Sequence, residues 1–235
     1  MQRTTFVRRI GFLVGVLIAL SAFAGNAAAK TTCQPMQYGP AYWGGPAVAL
    51  GQVCTSEVDF RSFYQRAADT QKQSQWCWAA VISMIFNYYG HPVQQARIVK
   101  DAYGSIVNMP AVNGLVIANQ INRQWIDDAN RRFSAELTSA YDAYAGLNAT
   151  TNAFLINELH NERPFIIGTK NHAVVGTSIQ YWRFPNGMIG NVGAVGVFDP
   201  WPMSQRARGL TPAEMTAIQN GGQLSFIASL SVRSF

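Results

Sequence analysis

The chain has 235 residues, of which 49% are hydrophobic and 13% are charged, and its formal net charge at pH 7 is +6. The length suits one domain that buries a sizeable core, with room for an appended arm. The basic residues are spread along the chain rather than clustered, so a nucleic-acid-binding surface is not expected.

The first 29 residues have the pattern of a secretory signal peptide. Arginines near the N-terminus precede an apolar stretch over residues 10–23, and three alanines at 27–29 offer a small-residue cleavage site. The apolar stretch is shorter than the ~20 residues of an ordinary membrane span. An uncleaved signal anchor is the alternative. We therefore expect a secreted or periplasmic protein with no stable membrane anchor after signal cleavage.

Cysteine parity predicts one disulfide and one free thiol. The chain has three cysteines, and an exported chain meets an oxidising environment in which thiols pair. Cys33 and Cys54 are the easiest pair to close because they lie near each other in a stretch rich in Gly and Pro. Cys77 remains as the free thiol, either as a small buried hydrophobic residue or as a reactive group.

Residues 30–65 read as an N-terminal arm or a pro-segment that blocks a cleft. Prolines and glycines are expected to interrupt regular structure in the first half of this segment, namely Pro35, Gly39, Pro40, Gly44, Gly45 and Pro46. The sequence does not decide between the two interpretations.

The rest of the chain predicts helices first and strands later. The run Trp76–Tyr89 is apolar nearly all round and indicates a buried helix that ends at Gly90. Further helices are predicted near Pro92–Ala102, Val112–Trp125 and Thr151–Glu162. Strands are predicted at Phe165–Gly168, Ala173–Tyr181, Val192–Asp199 and Leu224–Val232, with an Asn-Gly hairpin turn at 186–187. This order indicates an α+β domain of two lobes.

A nucleophilic thiol needs groups that stabilise its anion. Cys77 stands at the start of a predicted helix, where the helix dipole favours a negative charge, and a histidine would complete the activation. Of the three histidines, His91 reads as a surface turn residue and His160 as a solvated or capping residue near a helix end. His172 opens an apolar strand, where it is either structural or the general base.

Two further groups would complete such a site. Asp199 ends the next strand and can orient the imidazole of His172, although an Asp-Pro turn explains it as well. The oxyanion would need the backbone N–H of Cys77 and a side-chain amide just upstream. Gln71, Gln73 and Gln75 are the candidates, and a polar loop is their alternative explanation.

Three separated motifs in the order Cys, His, Asp resemble those of papain-like cysteine proteases. Gln71, five intervening residues and Cys77-Trp78-Ala79 are similar to the Gln-x5-Cys-Trp-Ala segment of that family. The stretch from Asn171 to Val175 is similar to its His-Ala-Val strand, and Asp199-Pro200-Trp201 to its Asp/Asn-Pro segment. Overall, the sequence looks closest to the bacterial papain-like group that includes the avirulence-effector proteases.

The resemblance implies a papain-like peptidase domain over residues 66–235, with the catalytic Cys on a central helix. It implies hydrolysis of peptide or isopeptide bonds through a thioester, with Cys77, His172 and Asp199 as the triad and Gln71 as the oxyanion donor. The substrate would be a protein or peptide, and neither metal nor organic cofactor is implied, because the His and Cys residues lack zinc spacing. Acyl transfer by the same triad, and an inactive binding or toxin module on the same fold, are the alternatives.

Overall fold

The computed structural model describes residues 30–38, 48–204 and 206–235, so the predicted signal peptide lies outside the described residues. The helices are α1 (Phe60–Ala67), α2 (Cys77–Tyr88), α3 (Gln95–Tyr103), α4 (Gly114–Gln120), α5 (Asn152–His160) and α6 (Pro212–Met215). The strands are β1 (Lys30–Tyr38), β2 (Val48–Glu57), β3 (Arg123–Ile126), β4 (Arg132–Asp142), β5 (Leu147–Asn148), β6 (Phe165–Thr169), β7 (His172–Arg183), β8 (Ile189–Phe198), β9 (Ala207–Gly209) and β10 (Leu224–Ser234).

The strands form one antiparallel sheet in the order β1-β2-β7-β6-β10-β4-β3, with β5, β8 and β9 attached beside this path. Together with the helices, most of which precede β6 in the chain, this confirms the predicted α+β class. Within the described ranges, no helix is long and apolar enough to cross a bilayer.

Helix α2 lies in the core, as its apolar sequence predicts. Its residues from Trp78 to Phe86 are all buried, and the helix packs against β7, α1 and α3. Gly90 follows with φ of 81°, a left-handed conformation that glycine adopts without strain, and its N–H bonds the Asn87 carbonyl. The predicted stop at Gly90 is therefore confirmed, and Cys77, the first residue of α2, is less buried than the residues that follow it.

Strand β7 organises the sheet around the candidate site. Its first half pairs with β6 and its second half with β2, while β8 runs along the opposite edge. The predicted Asn-Gly hairpin joins β7 to β8, and Gly187 has φ of 84° there. Because β7 begins where β8 ends, His172 and Asp199 come to the same end of the sheet.

Two secondary-structure predictions need correction. The helix predicted over Val112–Trp125 ends at Gln120, and Arg123–Ile126 is the edge strand β3, where Trp125 packs against Phe86. Strand β4 was missed, although its buried residues Phe133 and Ala135 alternate with more exposed neighbours in the period typical of a strand.

The expected break in regular structure at Pro35 was also wrong, because Pro35 lies within β1, which pairs with β2. The other expected breaks, at Gly39, Pro40, Gly44, Gly45 and Pro46, lie outside the described residues. Pro35 is tolerated because β1 is an edge strand, where a missing N–H costs no ladder bond on the outer side. Gly51 is required, since its φ is 132° and a Cβ would lie 2.5 Å from the carbonyl oxygen of Arg183. Strand β2 lies between β1 and β7 in the sheet.

The predicted disulfide is confirmed. Cys33 and Cys54 are directly opposite partners of the β1–β2 hairpin and are joined covalently, while Cys77 is free. Cys54 is fully buried against the core. The bond therefore ties the edge strand β1 to a strand inside the sheet.

Replacing both Cys33 and Cys54 by Ala is expected to lower the free energy of unfolding by ~3 kcal/mol, because the open chain regains conformational freedom. Urea unfolding of the two proteins measures this difference. The alkylation rate of Cys77 in the folded double variant should equal that of the parent. A slower rate would mean that the hairpin contributes to the environment of Cys77.

Candidate active site

Cys77 is held at the first turn of α2 by the tryptophans on either side of it. Both indoles are buried, and their N–H groups donate to the carbonyls of Val107 and Met109 at 2.8 and 3.1 Å. These bonds fasten the loop that follows α3 beside the cysteine. Cys77 itself is a free, half-buried residue.

The helix start favours a negative charge at Cys77. Its N-cap residue, Trp76, has no side-chain acceptor for the N–H groups of the first turn. These groups therefore keep their capacity to stabilise an anion, and the helix dipole adds to the effect.

His172 is positioned by a tight turn between β6 and β7. Thr169 and His172 are cross-strand partners, and Asn171 between them has φ of 68°, which asparagine tolerates better than most residues. The side chain of His172 is 22% exposed, so the imidazole lies at the surface of the sheet end rather than in the core.

Asp199 orients the imidazole. Its Oδ1 accepts a hydrogen bond from His172 Nε2 at 2.7 Å and another from the backbone N–H of Trp201 at 2.9 Å. This bond leaves Nδ1 of His172 as the ring nitrogen available to the neighbouring Cys77 side chain. The ring of Trp201 stands edge-on to the imidazole with 6.3 Å between centroids.

The surroundings favour charged forms of both partners. Burial alone would lower the pKa of His172, but the Asp199 hydrogen bond and the nearby Cys77 raise this pKa to about 9. Burial likewise opposes ionisation of Asp199, yet the bond from His172 and the Trp201 N–H hold its pKa below the usual value. At neutral pH the imidazole is therefore protonated.

Gln71 joins the two sides of the site through its backbone. Its N–H donates to the carbonyl of Pro200 at 2.9 Å, next to Asp199. Its side chain is buried, and Nε2 donates to the carbonyls of Gln73 and Ser74, both at 2.9 Å. To bind an oxyanion, Gln71 would have to exchange one of these bonds. Gln73 and Gln75 are exposed.

A family model described as the Peptidase_C39 like family matches residues 57–217. The chain belongs to this family. The match contains every predicted catalytic residue, whereas both cysteines of the disulfide precede it. Membership supports the assignment of the chain as a cysteine peptidase, and the α+β architecture is consistent with a papain-like fold. The finer resemblance to avirulence-effector proteases stays a prediction.

Among solved structures, the chain is similar to one described as a double glycine motif protease from an AMS/PCAT transporter in complex with the leader peptide. The two are 17% identical with a TM-score of 0.38, and the similarity covers 70% of this chain and 92% of the other. No curated protein matches the sequence.

The other two histidines of this Peptidase_C39-like chain lie outside the predicted triad. The prediction of His91 as a surface turn residue was wrong: it is buried, stacks on Phe133, and bonds Asp127 through Nδ1 and Ser234 through Nε2. Sequence reasoning missed this because each partner is distant in the chain. His160 is at the end of α5, where its Nδ1 bonds Thr31.

Sequence reasoning also missed Arg208, whose Nε donates to Oδ2 of Asp199 at 2.9 Å. No sequence motif indicates Arg208, because it reaches the site only through the pairing of β9 with β8. In the described residues, no group of three or more His, Cys, Asp or Glu side chains could hold a metal ion. That the enzyme works without a cofactor stays a prediction.

Proposed function

We propose that this protein is a peptidase that cleaves a peptide bond through a thioester on Cys77, with His172 as acid and base and Asp199 as its orienting partner. The observation that carries the proposal is the closeness of three groups: the free thiol at the start of α2 neighbours the imidazole at the start of β7, and this imidazole bonds the carboxylate at the end of β8 at 2.7 Å. An isopeptide bond would be cleaved by the same chemistry.

Acylation begins with the thiolate of Cys77 attacking the carbonyl carbon of the scissile bond. A C–S bond forms and the carbonyl oxygen becomes an oxyanion. The imidazolium of His172 then gives its proton to the leaving nitrogen, the C–N bond breaks and the amine departs. Asp199 keeps the imidazole aligned for this transfer.

Deacylation returns the enzyme to its starting state. Water attacks the thioester while the neutral His172 accepts a proton from it, and the C–S bond breaks to release the carboxylic acid and the thiolate. No group other than the triad and water is needed to balance this sequence of steps.

Gln71 is proposed as a donor to the oxyanion, together with the backbone N–H of Cys77. Support comes from its place one loop upstream of Cys77 and from the bond between its backbone and Pro200. Because Nε2 is held by two carbonyls in the resting protein, the side chain would turn to the oxyanion as the substrate binds.

Gln71→Ala is expected to lower kcat by roughly 10²-fold with little change in KM, because the donor acts mainly in the transition state. Gln73→Ala and Gln75→Ala are matched controls on the same loop and should behave as the parent. Steady-state kinetics of the three variants on one peptide substrate would decide. If Gln75→Ala is damaging while Gln71→Ala is silent, the oxyanion donor has been placed wrongly.

We also propose that the protein is exported, by cleavage of a signal peptide after Ala29. The disulfide supports this, since such bonds persist in oxidising compartments. N-terminal sequencing of the mature protein from the periplasm or the medium tests the proposal. A mature protein that retains residues 1–29 would contradict it.

Peptide hydrolysis is tested by incubating the protein with a mixture of unstructured peptides and identifying products by mass spectrometry. Cleavage that a thiol-directed epoxide inhibitor abolishes, with the inhibitor attached to Cys77, is expected. Addition of a primary amine should leave the products as free acids. Amide products would point to acyl transfer, and no labelling of Cys77 would point to an inactive module.

A further inference from the structure

The hydrogen bonds of Asp199 continue beyond the triad into a chain of alternating charges. Oδ1 holds His172, and Oδ2 accepts the Nε–H of Arg208 at 2.9 Å. Arg208 lies on β9, which pairs with the end of β8, so the guanidinium reaches Asp199 from the neighbouring strand. Both carboxylate oxygens of Asp199 therefore accept hydrogen bonds, which restrict rotation of the carboxylate.

Arg208 is fixed in turn by Glu214. Its two terminal nitrogens donate to the two carboxylate oxygens of Glu214 at 3.0 and 2.8 Å, a fork geometry that lysine cannot reproduce. Glu214 is also bound by the backbone N–H and hydroxyl of Thr211, with which it forms the capping box of α6. Glu214 is buried, so the helix start provides a rigid support.

We propose that Arg208 is a positioning residue of the active site, which holds the Asp199 carboxylate in the orientation that aligns His172 with Cys77, and that Glu214 secures Arg208 in that role. This inference rests on the proposed triad. Arg208 touches neither the thiol nor the imidazole, and it acts only through Asp199.

A positioning role and a simple charge effect move the pKa of His172 in opposite directions. If Arg208 acted only as a positive charge, its removal would make the imidazolium more stable and raise this pKa. If it positions Asp199, its removal weakens the Asp199–His172 hydrogen bond, which supports the imidazolium, and lowers the pKa. The direction of the change therefore identifies the role.

The test titrates the imidazole of His172 by NMR in the full mature chain carrying Cys77→Ala, which removes the coupled thiol. With only three histidines in the sequence, the signals can be assigned by substitution. Arg208→Gln should lower the pKa of His172 by about one unit or more. Arg208→Lys keeps the positive charge but cannot form the two parallel hydrogen bonds to Glu214, so it should also lower the pKa of His172.

Turnover is measured in the corresponding proteins with Cys77 intact. Arg208→Gln should lower kcat by roughly 10²-fold with KM nearly unchanged, since misalignment of the base acts on the chemical step. Arg163→Gln is the matched control, because it breaks another Arg–Glu pair, with Glu158, away from the triad. It should leave both kcat and the pKa of His172 unchanged.

An unchanged or raised pKa of His172 in the Arg208 variants, with unchanged turnover, would overturn the inference. If Arg208→Gln does not fold, Arg208→Lys decides by the same two measurements. Failure of the proposed function looks different. In that case the protein with Arg208 intact would itself cleave no peptide, and its His172 would titrate near the ordinary value of ~6.5.

Discussion

Cys77→Ala is expected to abolish peptide cleavage, with a loss of kcat of about 10⁴-fold or more, because no other group on the proposed pathway can form the thioester. The structure makes Cys77 the one free cysteine of the three in the chain, since the other two are joined to each other. Mass spectrometry of peptide products over long incubation measures the residual rate.

Folding must be retained for this result to be informative. Cys77 is half-buried at the first position of α2, and Ala is a good helix former of smaller size, so urea unfolding should be close to that of the parent. Cys77→Ser is the companion variant, which keeps the shape but offers a hydroxyl that an imidazolium does not ionise. Substantial cleavage by a folded Cys77→Ala protein would rule out the thioester mechanism.

His172→Ala is expected to lower kcat by a similar factor, because both the stabilisation of the thiolate and the proton for the leaving amine are lost. The parent should keep a protonated imidazole up to the His172 pKa of about 9, so its turnover should decline only as the pH rises through that value. A pH profile of kcat measures this basic limb.

His160→Ala serves as the control for the removal of a histidine, since His160 is exposed and bonds Thr31 away from the triad. Its turnover and its basic limb should match those of the parent. A His172→Ala protein that retains the basic limb near pH 9 would show that another group carries the proton.

The parts of the site that depend on local sequence were predictable. A continuous apolar run predicted α2 and placed Cys77 at its start. The Asn-Gly turn between two predicted strands indicated that His172 and Asp199 reach the same end of the sheet. Cysteine parity predicted the disulfide. Each of these inferences uses residues that are close in the chain or limited in number.

The parts that depend on distant contacts were not predictable from the sequence. Arg208 comes to Asp199 through pairing of the three-residue strand β9 with β8, and such a short strand has no readable pattern. His91 is buried because Asp127 and Ser234, far away in the chain, satisfy both ring nitrogens. Pro35 was expected to interrupt regular structure, but it lies on the edge strand β1, where proline is tolerated.

The most direct test of the account is the rate of alkylation of Cys77 by iodoacetamide as a function of pH in the otherwise unmodified protein. The disulfide leaves Cys77 as the only thiol to react. If the start of α2 and the imidazolium of His172 stabilise the anion, the rate should already be high near neutral pH and below. A rate that rises only around ~8.5, the value of an ordinary thiol, would contradict the account.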